Sequence, residues 1–235
     1  MLVDEQGGFV TQRRFPQLTR VRVRQSAHDA MVWLKVPGGD WQVLEPGQHS
    51  IDVQVWSDQV PARKSSPEPA NAMSRYLGIP VRWVYMDLPG CRPVSRQWVN
   101  RSCPVSFADG FPFLVTTTGS LAQLERWSGR RLDVRRFRPG IVVECPEPFM
   151  EDAWASLHIG SITLRLVKPC TRCKVTTLDP DTGAPEPDQE PLRTLARYRS
   201  NPSGVIFGVN AVHEGTGTLN LGDRVTARSA AGDMT

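Results

Sequence analysis

Prolines and glycines interrupt this chain so often that few of its segments are long enough for extended helices. The sequence holds 20 prolines and 19 glycines in 235 residues, and proline removes a backbone donor wherever it occurs. The turn "PGGD" at 37–40 resembles a hairpin loop. On either side of it, apolar and polar side chains alternate in runs typical of half-buried strands, at 9–13, 18–23, 31–36, 51–55 and 81–86. The first part is therefore predicted to be a small antiparallel β unit.

Three helices are predicted among these strands. Ser66-Pro67 combines a favourable N-cap with a proline in the first turn, and Gly78 provides a C-terminal stop. The second helix is "SLAQLERWSG", in which Ser120 would be the N-cap and Gln123 would complete a capping box. The third is "EPLRTLARYR", which begins at a proline. Helices therefore form a minority of the predicted elements.

The later part of the chain is also predicted to contain more strand than helix. "FRPGIVVEC", "SITLRLVK" and "KVTTL" have strand patterns, and "GTLNLGDRVTAR" indicates a hairpin-like element. Residues 87–102 are polar and irregular and are predicted to be a link. No internal repeat and no succession of βαβ units is present. The predicted fold class is β-rich α+β, with a small β-barrel-like first part and a second β-barrel with a few helices.

Composition excludes several classes of protein. The hydrophobic content is 40% and the charged content 22%, with a net charge of +4, which is typical of a globular protein. The basic residues form no dense run with interleaved aromatic residues, so we expect no nucleic-acid partner. No apolar run approaches the roughly 18 residues of a membrane span, and the N-terminus lacks a secretory signal pattern. Five unevenly spaced cysteines indicate a reducing, cytoplasmic location.

The segment "VKPCTRCKVTTLDPDTG" carries a cysteine pair with four possible roles. A zinc site needs a second ligand pair, which the sequence lacks. A thioredoxin-like pair should open a helix, whereas "KVTTL" has a strand pattern. Buried inert cysteine explains one of the two thiols but not Arg172 between them. The fourth role is a thiolate metal ligand on a turn, with Arg172, Lys168 and Lys174 beside it to stabilise negative charge. The following "DPDTG" is predicted to be a turn.

Several motifs, in order, resemble those of the MOSC domain. They are "SFADGFPFLVTTTGSLAQL", "RRFRPGIVV", "EDAWASLHIGSITL", "VKPCTRCKVTTLDPDTG" and "EPLRTLARYR". Within that family the chain resembles bacterial YcbX-like proteins and the mitochondrial amidoxime-reducing component. "GGFVTQRRFPQL" resembles the family's N-terminal β-barrel domain. The resemblance implies an N-terminal domain at 1–88, a MOSC domain at 89–228 and a flexible tail at 229–235.

The resemblance implies a molybdenum cofactor of the molybdopterin type and two-electron reduction of N-hydroxylated compounds. Cys173 matches the family's molybdenum ligand, and Asp109 matches a loop facing the metal, where it would relay a proton or cap the loop. Arg172 and Arg138 match positions that contact the cofactor. Further cofactor-binding positions are implied at Gly110, Phe111, Gly140, Phe207, Gly208 and Asn210, the last three on a later loop. Cys170 matches a position with a common cysteine, and its implied role is structural.

Three departures from the family pattern qualify these expectations. Gly140 replaces an asparagine of the motif "FRPN", so one side-chain hydrogen bond near the cofactor is lost. Family members have roughly 30 to 40 residues before the point that matches Met1, a length estimated from the resemblance, and they include phosphate-binding residues and barrel strands. We therefore expect Met1 to be an internal methionine of a longer protein and the chain as given to hold the cofactor weakly. No cysteine cluster for an iron–sulfur domain follows, which implies a separate ferredoxin- or flavin-type electron donor.

Two other functions remain open from the sequence. One is a non-redox MOSC carrier or sensor for sulfur or for the molybdenum cofactor, with Cys173 as a persulfide or docking residue. The other is an interaction module in which the cysteine pair belongs to the core, so that Cys173→Ala would change stability but no ligand binding. Pyridoxal phosphate is a proposed ligand of this superfamily, but no lysine lies in a convincing Schiff-base site.

Overall fold

Three β-sheets contain most of the residues that lie in strands or helices in the structure, a computed structural model that describes residues 1–26, 31–86 and 92–229. The chain divides into two compact units, of which the first contains residues 1–93 and 178–184. The second contains residues 94–177 and the chain from 185 onward. The predicted β-rich fold class with few helices is confirmed. The predicted boundary between residues 88 and 89, and residues 230–235 of the predicted tail, lie outside the described residues.

Two antiparallel sheets build the first unit. Its strands are β1 (Leu2–Val3), β2 (Arg22–Gln25), β3 (Val32–Lys35), β4 (Trp41–Val43), β5 (Pro46–Val55), β6 (Asp58–Ser65) and β7 (Arg82–Tyr85). One sheet has the order β1-β7-β6-β5 and the other the order β2-β3-β4. The loop at 37–40 joins β3 to β4, so the predicted hairpin is confirmed.

The strand predicted at 9–13 is not formed, and the one predicted at 18–23 is correct only from Arg22 onward. Residues 12–14 form a turn, and Pro16–Arg20 forms a 3-10 helix, so that β2 begins only at Arg22. Proline fixes φ at the start of this helix. The Thr19 hydroxyl donates to the Pro16 carbonyl oxygen at 3.1 Å. This local hydrogen bond competes with strand pairing, and alternation of side chains alone does not reveal it.

Helix α1 (Pro67–Leu77) confirms the first predicted helix. Gly78 ends it in the left-handed region with φ of 72°, where glycine has no steric penalty. Met73 and Leu77 are buried and pack with Leu2 and Leu34 of the two sheets. The helix therefore supplies the apolar layer that both small sheets need to cover one face.

One large sheet dominates the second unit. Its strands are β8 (Phe113–Thr117), β9 (Ile141–Val143), β10 (Trp154–Ile159), β11 (Ile162–Thr171), β12 (Ser200–Asn201), β13 (Gly204–Glu214) and β14 (Val225–Ser229). The order is β14-β10-β11-β13-β8-β9, with β12 paired to β13. Phe207, Gly208 and Asn210, predicted on a loop, lie in the long strand β13. Likewise, "GTLNLGDRVTAR" contributes one strand, β14, rather than a hairpin.

Helix α2 (Thr118–Ser128) begins before its predicted start. Thr117 is the N-cap, and its hydroxyl accepts a hydrogen bond from the Ser120 backbone N–H at 3.1 Å. Ser120 lies inside the helix, and Gln123 bonds within the helix instead of forming a capping box. A Cβ at Gly119 would lie 2.5 Å from the Pro146 carbonyl oxygen. This close packing fixes the first turn, and a local capping pattern cannot report it.

Helix α3 (Leu192–Tyr198) confirms the third predicted helix, and Leu195 is its fully buried side chain. Leu195 packs in one cluster with Leu124, Phe137 and Phe207. This cluster joins α2 and α3 to one side of β13. No helix in the described part of the chain is both long and apolar enough to cross a bilayer.

Candidate functional site

Strand register brings two of the predicted site residues, Asn210 and Gly140, into one row across the large sheet. Asn210 on β13 lies opposite Lys168 on β11 and opposite Leu114 on β8. The Gly140 backbone N–H donates to the Leu114 carbonyl oxygen at 3.0 Å, just before β9 begins. The row from Lys168 through Asn210 and Leu114 to Gly140 therefore crosses four neighbouring chain segments. Residues far apart in sequence meet here because β8 and β9 are parallel and start at the same edge.

The cysteine pair lies where β11 ends. Cys170 is within β11, and the backbone N–H of Arg172 donates to the Val205 carbonyl oxygen at 2.7 Å. Cys173 follows directly and immediately precedes the 3-10 helix Lys174–Thr177. Both thiols are free and partly exposed. Cys173 thus occupies a turn at the edge of the sheet, as predicted for a ligand that must reach a bound group.

The predicted strand "KVTTL" is wrong, because its threonines hold a helical turn. The Thr176 hydroxyl and backbone N–H both donate to the Cys173 carbonyl oxygen, at 3.0 and 3.1 Å. The Thr177 hydroxyl donates to the Lys174 carbonyl oxygen at 2.8 Å. Threonine is usually a strand former, but here its hydroxyls bond to the backbone three residues earlier. The backbone of Cys173 is therefore fixed by its own downstream neighbours.

Arg172 connects the cysteine turn to the segment before β9. One terminal nitrogen, Nη1, donates to Cys170 Sγ at 2.9 Å, and Nη2 donates to the Phe137 carbonyl oxygen at 2.8 Å. Its guanidinium carbon lies 5.6 Å from the centre of the Phe137 ring. The Nε atom is buried and has no hydrogen-bond partner in the protein. The fork geometry of arginine suits this bridging role, and lysine could not replace it.

Two buried aromatic rings support this bridge. Phe137 and Phe207 are 1% and 0% exposed, and their ring centroids are 4.1 Å apart. Phe207 was predicted to bind the cofactor, but its side chain belongs to the core below the site. Gly208 follows it with φ of 73°, and a Cβ there would lie 2.7 Å from the Val115 carbonyl oxygen. Gly208 therefore allows β13 to pass β8 closely enough to pair.

Arg138 and Gly140 lie on the segment that Arg172 holds. Arg138 is exposed and has left-handed backbone angles, φ 55° and ψ 48°, at the end of the 3-10 helix Val134–Phe137. Such a conformation is uncommon for a residue other than glycine and indicates a constrained position. A Cβ at Gly140 would meet nothing closer than 3.5 Å, the Phe113 ring. A Cβ at position 140 would therefore be in ordinary van der Waals contact with that ring and would not clash.

Three arginines close in sequence to Arg138 pair with carboxylates. Arg136 lies 2.6 Å from Glu186, and Arg130 contacts Asp188 at 2.5 Å. Arg135 donates to Asp133, whose pKa it lowers chiefly through this side-chain hydrogen bond. In the run "RRLDVRRFR", these ion pairs anchor the segment to the protein. The carboxylates at 186 and 188 are remote in sequence, so no local pattern identifies Arg130 and Arg136 as anchoring arginines.

Asp109 and Gly110 lie in an exposed turn that leads into β8, and nothing lies within 4 Å of the place a Cβ would take at Gly110. Phe111 is partly buried and packs against a cluster that includes Val105 and Val212. The predicted roles of these three residues at the cofactor remain predictions. The Asp109 carboxylate is exposed, and the space beside the Gly110 backbone is unoccupied by protein atoms.

Phe137 and Trp98 are two residues of this region that sequence reasoning missed. Phe137 supplies both the carbonyl oxygen and the ring that Arg172 contacts. Trp98 lies under Lys168, whose Nζ is 4.6 Å from the ring centre. An aromatic residue between arginines, as in "RRFRPG", could have indicated the first contact. The second depends on the tertiary fold and has no local signal.

The chemistry of the site is that of a thiol among cations. Cys173 is flanked by Arg172 and by the exposed Lys174, and Arg138 is exposed on the neighbouring segment. Among the residues that the structure describes, no three histidine, cysteine or acidic side chains gather as a metal cluster would require. A metal here would therefore have at most two such side chains as ligands and would need its other ligands from a bound group. A thiolate suits a soft or high-valent metal.

Comparisons with known proteins match both parts of the chain. Residues 103–226 match the MOSC domain, and residues 1–80 match the MOSC N-terminal beta barrel domain. The chain is 38% identical to human mitochondrial amidoxime-reducing component 1, over 96% of this chain and 71% of the relative. It is 30% identical to the mouse component 1 (96% and 70%) and to the bovine component 2 (96% and 71%). The chain therefore belongs to the MOSC-domain family.

Proposed function

We propose that this protein is a molybdenum-cofactor oxidoreductase that reduces N-hydroxylated compounds, with Cys173 as the metal ligand and electrons from a separate ferredoxin- or flavin-type donor. The observation that carries the proposal is the position of Cys173. Its partly exposed thiol lies on a fixed turn at the edge of the large sheet, beside Arg172 and Lys174. The names of the relatives, amidoxime-reducing components, support the substrate class.

The residues present fit such a cofactor in two respects. A single thiolate with no cluster of further ligands nearby, among the described residues, matches a metal that a pterin dithiolene also binds. The buried Nε of Arg172 has an unused donor. A buried donor without a partner is costly for a protein to keep. An acceptor on a bound group would satisfy it.

When bound, the cofactor supplies a two-electron redox couple, so that two electrons and two protons convert an N–OH group to N–H and water. The protein's own residues hold the group and provide the protons. Cys173 would bind the metal through its sulfur, and the hydrogen bonds from Thr176 to the Cys173 carbonyl oxygen restrain the backbone that carries this side chain. Arg138 and Lys174 would attract anionic groups of the cofactor, because both side chains are exposed and cationic.

Arg172 has a positioning role in this mechanism. Its two terminal nitrogens are engaged with Cys170 and Phe137, so they fix the distance between the cysteine turn and the Arg138–Gly140 segment. Asp109 is the exposed carboxylate that we propose as a proton relay to the leaving hydroxyl. Asn210, in the row between Lys168 and Leu114, would orient polar groups of the cofactor.

Molybdenum content tests the proposal directly. The full chain and its Cys173→Ala variant would be purified from a host that makes the cofactor and analysed for metal. We expect the wild type to hold at least tenfold more molybdenum per chain than the variant, whatever the absolute occupancy. Cys145→Ala is the matched control, because Cys145 is another partly exposed free thiol of the second unit. Its molybdenum content should equal that of the wild type.

Activity is the second measurement. The metal-containing wild type should reduce an amidoxime with an artificial electron donor, and Cys173→Ala should not. Equal molybdenum in wild type and Cys173→Ala would contradict the assignment of the ligand. Metal-loaded protein that does not reduce amidoximes would instead favour a cofactor carrier. Absence of molybdenum from every form would contradict the proposal as a whole.

A further inference from the structure

An open cavity of about 600 Å³ lies in the first unit, among residues that the proposed reaction does not use. Three cationic side chains line it, those of Arg20, Arg22 and Lys35. Asp181 and Thr182 of the segment "DPDTG" line it as well. All of these residues belong to the first compact unit. The cavity therefore lies within the first unit. The Arg138–Gly140 segment belongs to the second unit.

The backbone around the cavity places the three cations together. Arg22 on β2 lies directly opposite Lys35 on β3 in the antiparallel register, where side chains of a pair share a face. Arg20 ends the 3-10 helix that precedes β2. Like charges directly opposite each other are unfavourable in a sheet. A compensating negative charge between Arg22 and Lys35 would remove that repulsion.

The opposite wall of the cavity is a tight turn, as predicted for "DPDTG". Asp179 Oδ1 accepts from the backbone N–H groups of Asp181 and Thr182, at 3.0 and 2.8 Å. Gly183 has φ of 77°, and a Cβ there would lie 2.5 Å from the Pro16 carbonyl oxygen. The turn is thus pressed against the 3-10 helix by a contact that only glycine permits. These contacts restrain the turn that forms this wall of the cavity.

Asp181 neutralises the cations only in part. Its Oδ1 lies 4.0 Å from Arg22 Nη2, and the two side chains are 51% and 65% exposed. Ion pairs this exposed contribute little, since water and salt screen them. One carboxylate against three cations leaves about two positive charges at the cavity. The carboxylate nevertheless shows that an oxyanion fits beside Arg22.

We propose that this cavity binds a small organic phosphate, with Arg20, Arg22 and Lys35 contacting the phosphate oxygens. Arginine forks bind phosphate oxygens in pairs, and a phosphate monoester near pH 7 carries close to the two charges that the cavity leaves unbalanced. The volume lies in the usual range for small-molecule sites, roughly 300–1,000 Å³, and exceeds what inorganic phosphate alone would fill. This site goes beyond the proposed reductase function and does not depend on it.

The experiment uses the full chain and measures binding of pyrophosphate and of adenosine monophosphate by calorimetry, at about 0.01 M ionic strength where screening is weak. We expect saturable one-to-one binding of both probes. Arg22→Gln combined with Lys35→Gln should weaken it at least tenfold, which is about 1.4 kcal/mol. Arg75→Gln is the matched control, because Arg75 is an exposed arginine on α1, away from the cavity lining.

Asp181→Asn provides a test in the opposite direction. It removes the carboxylate that competes for Arg22, so phosphate should bind several-fold more tightly. Molybdenum content should not change in any of these variants, which separates this site from the reductase site. Equal weakening by Arg75→Gln and by the cavity variant would show general charge attraction and overturn the proposal. Binding that does not saturate would overturn it as well.

Two further outcomes would indicate that the cavity binds a ligand other than a small organic phosphate. Citrate binding as tightly as pyrophosphate would overturn the preference for phosphate. A single-stranded oligonucleotide that binds more tightly than either probe and loses affinity in Arg24→Gln would also overturn it. Arg24 lies 5.1 and 4.5 Å from the ring centres of Trp33 and Trp41, beside the cavity residues on β2 and β3.

Discussion

The cysteine turn of the second unit and the cavity of the first unit both depend on arginine, but they use it in different ways. At the turn, Arg172 is partly buried and bonds to Cys170 and Phe137 of its own chain. In the cavity, Arg20 and Arg22 are exposed, and the one ion pair of Arg22 spans 4.0 Å. The first arginine is part of the architecture, whereas the other two face solvent.

This difference separates stability from binding. A desolvated guanidinium whose hydrogen bonds hold two chain segments contributes to folding, because its removal leaves a buried carbonyl unpaired. An exposed guanidinium contributes little to folding, because water takes its place at small cost. We therefore expect substitutions at the turn to reduce the free energy of unfolding and substitutions in the cavity to leave it nearly unchanged. The predictions below test this contrast, beginning with the largest effect.

Gly208→Ala should cause the largest loss of stability. The added Cβ would lie 2.7 Å from the Val115 carbonyl oxygen at a residue whose φ is 73°. Left-handed strain and overpacking each cost about 1–3 kcal/mol, so we expect a loss of about 3 kcal/mol in urea unfolding. Gly110→Ala is the control, because nothing lies within 4 Å of its Cβ position, and it should change stability by less than about 0.5 kcal/mol. Equal losses of stability in Gly208→Ala and Gly110→Ala would show that β13 can shift away from β8 and so relieve the predicted clash.

Arg172→Ala should destabilise the protein by about 2–3 kcal/mol, because the Phe137 carbonyl oxygen loses its partner and the Phe137 ring loses a contact. Arg172→Lys should reduce the free energy of unfolding by a smaller amount, since one ammonium group cannot reach both Cys170 Sγ and the Phe137 carbonyl oxygen. Urea unfolding compares them with Arg165→Ala, whose side chain is 66% exposed and pairs with Glu214 at 3.4 Å. A loss at Arg172 no larger than the loss at Arg165 would remove the distinction between buried and exposed arginine.

Glu151 extends the contrast to a buried acid. It is fully buried, accepts hydrogen bonds from the Thr117 and Ser120 hydroxyls, and burial raises its pKa above 4.5. Between the unfolded and the folded pKa, the folded state binds more protons, so stability falls as pH rises through this window. Each unit of pKa difference is worth about 1.4 kcal/mol.

Glu151→Gln cannot ionise but still accepts from both hydroxyls. Its unfolding free energy should therefore vary less than that of the wild type as pH rises from 4.5, measured by urea unfolding at several pH values. Asp133 provides a control, because a hydrogen bond from Arg135 lowers its pKa below 3.8. Its contribution to stability is therefore lost as pH falls, and Asp133→Asn should remove that part of the pH dependence. Parallel pH curves for wild type and Glu151→Gln would contradict a raised pKa at Glu151.

The fold could be predicted where local patterns and tertiary contacts agree. The helix from Pro67 to Leu77 agrees with the prediction because its first-turn proline, apolar stripe and terminal glycine all lie within one segment, although the Ser66 side chain makes no capping hydrogen bond. The turn after Cys173 was predicted as a strand because the hydroxyls of Thr176 and Thr177 bond to the backbone, a choice that β propensity does not report. The helix start at Thr118 depends on packing of Gly119 against Pro146, which is remote from the capping pattern.

The candidate site could be predicted from the sequence mainly through a family resemblance. Local chemistry indicated a thiolate with basic neighbours, but four roles remained open until the motifs around Arg138, Gly140 and Cys173 were taken together. The structure places Gly140 and Asn210 in one row of the sheet. The packing role of Phe207 and the bridge from Arg172 to Phe137 were not predictable, since both depend on contacts across strands that no local pattern encodes.

Arg22→Gln should have the smallest effect on folding. Its only ion pair in the described part of the chain is the exposed one to Asp181, so the free energy of unfolding should change by less than about 0.5 kcal/mol. Removing one of two like charges that face each other across β2 and β3 could even stabilise the sheet slightly. Urea unfolding at low and high salt measures both effects, and any stabilisation should vanish at high salt. A loss near that of Arg172→Ala would mean that Arg22, too, holds the fold together, and only Arg20 and Lys35 would then remain for a ligand.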